Sequence, residues 1–144
     1  MKVLISLVLL LGIVFSGCDE TDEINPTQNI EVFCKNSVNQ SVTLKLFRYK
    51  SEYSNFELDS NELVKTDSGK IDNFGPTFST PFELDSAIIT FSDGTKLVQV
   101  QTSNRVFTDT VNCILNSFDY AKTYDGDVEK WTFTLTQADY ERAR

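Results

Sequence analysis

The chain of 144 residues has no histidine. That absence removes Ser-His-Asp and Cys-His nucleophile pairs, His-based metal sites and any imidazole acid or base. It also lacks Gly-x-Ser-x-Gly, Ser-x-x-Lys and glycine-rich phosphate-loop motifs. Its six glycines (12, 17, 69, 75, 94, 126) fall in the leading apolar segment or at expected turns and loops. Positive charge is scarce: 13 Lys+Arg stand against 21 Asp+Glu, a net charge of −8. A phosphate-binding face needs clustered cations, so nucleic acid is not an expected partner. With so many acids, carboxylate pairs suited to glycoside cleavage discriminate nothing. The expectation is a non-enzymatic protein without cofactor or metal.

One long apolar run is present, and it is N-terminal. Met1-Lys2 supplies one positive charge, and Val3 to Val14 is interrupted only by Ser6 and Gly12. This pattern reads as a secretory signal peptide, residues 1–17, because it falls short of the ~20 apolar residues of a membrane-spanning helix. Ser16 and Gly17 before Cys18 resemble a bacterial lipobox, with Phe15 where that motif more often has leucine. The resemblance implies that Cys18 becomes the lipidated first residue of the mature protein, carrying palmitate-type acyl chains that make anchoring effectively permanent. A plain signal peptide with an incidental cysteine is the alternative.

Residues 18–29 read as an acidic disordered tether. Asp19, Glu20, Asp22 and Glu23 place four carboxylates in five positions, and Pro26 discourages regular structure. As a coil the segment reaches roughly 20 Å. An acidic run directly after the lipidated cysteine resembles the surface-export signal of Bacteroidota lipoproteins. It implies the outer membrane and the cell surface; a periplasm-facing position and a merely soluble spacer are the alternatives.

Beyond the anchor, Cys34 and Cys113 form an even pair in an exported domain, which suggests a disulfide. Closing the 80-residue loop between them would stabilise the fold by at most about 4.5 kcal/mol on the chain-entropy argument. Two buried thiols are the alternative. Two thiolates without further ligands cannot complete a zinc shell.

Residues 30–144 read as strands. Ile30, Val32 and Cys34 alternate, as do Val42, Leu44 and Leu46 within Val42 to Tyr49. Ser86 to Ser92 and Thr95 to Gln101 flank Asp93-Gly94, the signature of a two-residue type I′ hairpin. That turn pairs Ser92 with Thr95, Ile89 with Val98 and Ala87 with Val100. Val106 to Val111 and Phe118 to Tyr124 are weaker strands, and Asp125-Gly126-Asp127 reads as a polar turn rather than a calcium loop. In Lys130 to Thr136 the residues Trp131, Phe133 and Leu135 face inward, and Thr136 with Asp139 caps a helix from Gln137 to Ala143. Between Ser51 and Glu83 at most two short strands are expected, near Leu63 to Thr66 and Lys70 to Phe74. The sum is an all-β antiparallel sandwich, immunoglobulin-like, with a short C-terminal helix; a small closed barrel is the alternative.

Aromatic residues are the candidate ligand contacts. Tyr49, Tyr53 and Phe56, or Phe118, Tyr120 and Tyr124, present rings that suit the apolar face of a sugar, against a competing role in packing. Asp85-Ser86-Ala87 and Asp109-Thr110-Val111 resemble Bacteroidota O-glycosylation sites at Ser86 and Thr110. The segments Asp85 to Gly94, Cys113 to Asn116 and Trp131 to Tyr140 together resemble a layout recurring in small Bacteroidota envelope lipoproteins. The resemblance covers under half the chain and brings no catalytic residues. It implies location and fold. The expected function is a lipid-anchored binding or accessory subunit with a protein or glycan partner at the envelope; a carbohydrate-binding or carbohydrate-active surface module is the alternative.

Overall fold

The computed structural model describes residues 27–72, 75–102, 106–107 and 111–144. The signal segment, Cys18, residues 19–26 of the acidic tether and Thr110 lie outside the described residues, and Gln28 and Asn29, expected at the end of the tether, instead begin the first strand, paired with Ile71 and Lys70. The strands are β1 (Gln28–Asn36), β2 (Val42–Arg48), β3 (Ser51–Leu58), β4 (Leu63–Asp72), β5 (Gly75–Pro76), β6 (Ser86–Phe91), β7 (Lys96–Val100), β8 (Ala121–Asp125) and β9 (Val128–Leu135), followed by helix α1 (Gln137–Ala143). They form two sheets, β5-β4-β1-β9-β8 and β3-β2-β6-β7. The sheets do not close into a barrel; this is a β-sandwich with one short C-terminal helix.

The topology follows from which connections are short. Pairs β2–β3, β4–β5, β6–β7 and β8–β9 are antiparallel neighbours within a sheet, and the links between these pairs cross from one sheet to the other. Strand β1 sits centrally, antiparallel to β4 and parallel to β9. Period-two alternation then builds the core: Ile30, Val32 and Cys34 from β1 and Trp131, Phe133 and Leu135 from β9 meet Val42, Leu44, Leu46, Ala87, Ile89 and Phe91 from the facing sheet.

Three local expectations are corrected. The β6–β7 hairpin pairs Ile89 with Leu97 and Ala87 with Gln99, one residue out from the Ser92–Thr95 register. Its loop is three residues long. Phe91 N–H donates to Thr95 O at 2.9 Å, Asp93 Oδ1 accepts from Thr95 N–H, and Gly94 takes φ 85°, so a type I turn with one left-handed glycine replaces the I′ turn. The slip turns Leu97 and Gln99 inward and Val98 outward.

The stretch after Ser51 holds more strand than expected. Strand β3 is a continuous eight-residue edge, and β4 runs unbroken for ten. In β3 only Phe56 and Leu58 turn inward, too short an apolar face to announce the strand. The β2–β3 turn is tight, with Tyr49 and Lys50 both left-handed (φ 51° and 63°) and Lys50 N–H donating to Asp85 Oδ2 at 2.7 Å. Gly69 lies inside β4 rather than in a loop. A Cβ there would come within 2.9 Å of Phe78 Cβ and 3.1 Å of its backbone nitrogen, so only glycine lets the 77–85 segment lie against this strand.

Helix α1 forms where its cap places it. Asp139 accepts from Thr136 N–H and Oγ1–H, both at 2.7 Å, the capping box that Thr136 and Asp139 predict. At this same end of the sandwich, buried Asn36 donates to the carbonyls of Gln40, Leu58 and Asp59 and accepts from Val38 N–H. One amide thus ties two loops to β1.

Candidate functional site

The connection from β7 to β8 crosses between the sheets, and polar side chains hold its second half in place. Gln99 is completely buried; its Nε2 donates to Asn112 O and its Oε1 accepts from Ile114 N–H, both at 2.9 Å. Asn112, left-handed at φ 52°, donates to Thr134 O and to Asp139 Oδ2. Tyr120 O–H closes the segment on Ile114 O at 2.6 Å. Within it, Asp119 Oδ2 accepts from Cys113 N–H (2.8 Å) and Asn116 Nδ2–H (3.1 Å), while Asn116 Oδ1 accepts from Phe118 N–H. The resulting 3₁₀ turn, Ser117–Asp119, is braced on both sides.

On that turn stands Phe118, 92% exposed. A second wall comes from the segment between β5 and β6. Asp67 Oδ2 accepts from the amides of Ser79 and Thr80 at 2.9 and 3.0 Å, and Arg48 reaches Ser79 Oγ and the Glu83 carboxylate. These contacts place Phe82, 41% exposed, against the Phe78 and Trp131 rings at 5.4 and 5.6 Å. Between the walls lies an open groove of about 540 Å³, whose apolar lining is Pro76, Pro81, Phe82, Phe107, Leu115 and Phe118. Glu83, Gln101, Asn116 and Ser117 add hydrogen-bonding groups. The volume falls in the ~300–1,000 Å³ range of ligand clefts.

The residues singled out from sequence are placed unevenly. Tyr49 is 77% exposed, with the Arg48 guanidinium 5.2 Å from its ring centroid. Tyr53 is exposed, but Phe56, three residues on in β3, turns to the opposite face and packs against the core. These three rings therefore do not converge. Tyr120 is buried among Trp131, Phe133 and the two cysteines, and its phenol is pushed well above its usual range, first by burial. Tyr124 is exposed beside the β8–β9 turn, over a separate depression near Gln28 and Asp127. Phe118, grouped with them by sequence, is the member that reaches the groove; Phe82 and Phe107 carried no signal beyond being aromatic. Ser86 is half-buried, its hydroxyl donating to Asp85 Oδ1.

Asp125-Gly126-Asp127 is the β8–β9 turn. Gly126 takes φ 59° at the first central position, and Asp125 pairs with Lys130, which lowers the carboxyl and raises the ammonium from their ordinary values. Among the described residues no three His, Cys, Asp or Glu side chains cluster as metal ligands. No described helix is long and apolar enough to cross a membrane.

Cys34 and Cys113 are both buried thiols, the second of the two arrangements open from sequence. Burial pushes the Cys34 thiol up to about 12. A raised thiol contributes stability that is fully present below the unfolded value of 9.0 and lost as pH rises towards 12. Iodoacetamide at pH 8 is therefore expected to leave Cys34 unmodified in the native protein and to alkylate it in 6 M guanidinium. Peptide mass mapping checks this, and rapid native labelling would contradict it.

Comparison with known proteins found no matching family model, no matching curated protein and no matching solved structure.

Proposed function

We propose that the chain is a lipid-anchored, non-enzymatic binding subunit of the bacterial envelope, held by Cys18 at the outer membrane, that presents the Phe82–Phe118 groove to a ligand or partner. The observation that carries this reading is Phe118: a large apolar side chain almost wholly in water on a turn held by Asn116 and Asp119. Single exposed apolar residues are ordinary. A ring carried on a backbone turn held from both sides, beside a groove of ligand size, fits a binding surface. The groove offers shape, aromatic faces and hydrogen-bonding groups. The resemblance of residues 15–18 to a lipobox and the acidic run behind it support a tethered, surface-facing position.

The test uses the full chain in its native host, with benzoyl-phenylalanine in place of Phe118 or, as a control, of the exposed Val98 on β7. Irradiation is expected to give an adduct with an envelope component at 118 and none at 98. No adduct at 118, or the same adduct at both positions, overturns the reading. Alongside it, Cys18→Ala is expected to move the protein out of the membrane fraction, and unchanged retention would remove the lipid anchor from the proposal.

A further inference from the structure

Resting on the anchor proposed at Cys18 and on the reading of the groove as a binding surface, we propose that what this surface meets is the lipid headgroup layer. The end of the sandwich at which the chain enters from Cys18 lies on the membrane, with Phe118, Phe82, Tyr49 and Tyr124 at the interface. Strand pairing gathers these residues at one end. Gln28 pairs with Ile71, and Ile71 with Pro76 of the groove that Phe82 and Phe118 wall. Asn29 pairs with Val128 directly behind the β8–β9 turn, and Tyr124 lines one depression with Thr27, Gln28 and Asn29. Asp85 joins the remaining parts. Its N–H donates to Phe47 O, its carbonyl accepts from Gln101 N–H in the groove, and its carboxylate accepts from Lys50 N–H in the turn that carries Tyr49.

Exposure follows the same polarity. All four rings stand exposed at or beside this end. At the far end, where β1 finishes and α1 begins, Tyr140 instead lies on the Phe91 ring with its hydroxyl donating to Asp93. Aromatic side chains suit a headgroup layer, because the ring is apolar while a phenol keeps its hydrogen bonds to water and lipid. Two carboxylates of this end, Asp125 and Glu83, are paired with Lys130 and Arg48. The net charge of −8 over the chain then favours a zwitterionic lipid surface over an anionic one.

The length of chain between anchor and domain is the reason to choose a membrane. Residues 19–26 separate Cys18 from Thr27, so the two Cα atoms stand at most about 32 Å apart, however the segment between them is arranged. Strand β1, nine residues long, itself extends about 26 Å at ~3.3 Å per residue. Bringing the far end of the sandwich to the lipid would spend nearly the whole reach on running back along the domain. Bringing the near end there needs little of it. Tethering also makes the contact effectively intramolecular, so interfacial contacts that are weak one by one suffice.

The experiment attaches an environment-sensitive nitrobenzoxadiazole fluorophore to the full lipidated chain through Phe118→Cys or Tyr124→Cys. Leu63→Cys at the far end and Val98→Cys within β7 are the controls, and Cys34 and Cys113, being buried, stay unlabelled. Each protein is reconstituted into phosphatidylcholine vesicles carrying a headgroup-nitroxide lipid. Quenching several-fold stronger at 118 and 124 than at 63 and 98 is expected. All four positions are exposed, so labelling leaves the fold intact, which near-UV circular dichroism verifies. Equal quenching at the two ends, or stronger quenching at 63, overturns the inference. A protein adduct from the crosslink at 118, with no quenching there, overturns the lipid assignment while leaving the groove as a binding surface. Neither quenching nor an adduct at 118 overturns both readings. A lipidated chain that does not stay with the vesicles overturns the anchor and this inference with it.

Discussion

Asp139→Ala is expected to destabilise the domain by about 3 kcal/mol, a fall in Tm of roughly 10–15 °C for a domain of this size. Asp139 is 1% exposed at the start of α1. Its carboxylate accepts from Thr136 N–H and Oγ1–H, from Asn112 Nδ2 at 2.6 Å and from Arg142 Nη2 at 2.9 Å. Alanine would leave the half-buried Thr136 and Asn112 donors without their acceptor. Arg142 is partly solvated, so the loss comes mainly from the three Thr136 and Asn112 hydrogen bonds. Asn112 in turn holds the segment that carries Phe118, so the damage extends beyond the helix. Asp139→Asn keeps the shape but turns an amide NH₂ towards some of these donors, and a smaller loss is expected. Differential scanning calorimetry of the three proteins checks the order, and an alanine variant melting within about 3 °C of the parent would contradict a structural role.

Trp131→Ala is expected to cost about 3–5 kcal/mol. Sequence alternation already commits this ring to the interior, and the structure places it 3% exposed at the centre of an aromatic cluster with Phe78, Phe82 and Tyr120. Lys122 Nζ lies 3.8 Å from its ring centroid, closing the outer side. The indole N–H has no hydrogen-bond partner among the described residues. Trp131→Phe removes that unpaired donor while keeping most of the packing, so it should cost only about 1–2 kcal/mol. Urea unfolding monitored by far-UV circular dichroism reads both values. An alanine variant that folds as stably as the parent would contradict burial of this ring. Because Phe82 rests on Trp131, the alanine variant should also loosen one wall of the groove.

How much of this was legible from sequence depended on the range of the interaction. Period-two alternation placed Ile30, Val32 and Cys34, and again Trp131, Phe133 and Leu135, because a strand buried on one face must write that face into every second residue. The Thr136–Asp139 cap and the helix behind it were equally legible, being a bargain among four consecutive residues. The β6–β7 register was not. Asp93-Gly94 serves a two-residue I′ turn or a three-residue turn with one left-handed glycine, and the choice moves every partner by one. Counting apolar residues favoured Val98 and Val100 as inward. Gln99 took the inward position because Ile114 N–H and Asn112 O, fifteen and thirteen residues away in the chain, were there to satisfy its amide.

The groove illustrates the same limit. Phe118 stood out in the sequence as an aromatic residue, but so did Tyr120 two positions later, and nothing local says that one is 92% exposed while the other is buried. That division is made by the Tyr120 hydroxyl reaching Ile114 O and by Asp119 holding the turn between them. Phe82 and Pro81 come from a segment more than thirty residues earlier, brought alongside because Gly69 has no Cβ and Asp67 binds the amides of Ser79 and Thr80.

By itself, then, the sequence determined the mainly-strand character of residues 30–144, the faces of the central strands, the terminal helix and the absence of histidine chemistry, since each depends on composition or on residues a few positions apart; the strand expected over Phe118 to Tyr124 instead begins at Ala121, behind the Ser117–Asp119 turn. Only the tertiary structure decided the hairpin register, the state of Cys34 and Cys113 as separate buried thiols, and which aromatic rings meet at a surface. Those outcomes turn on buried polar groups finding partners across the sandwich, and hydrogen bonds between distant segments leave no periodic trace in the chain that forms them.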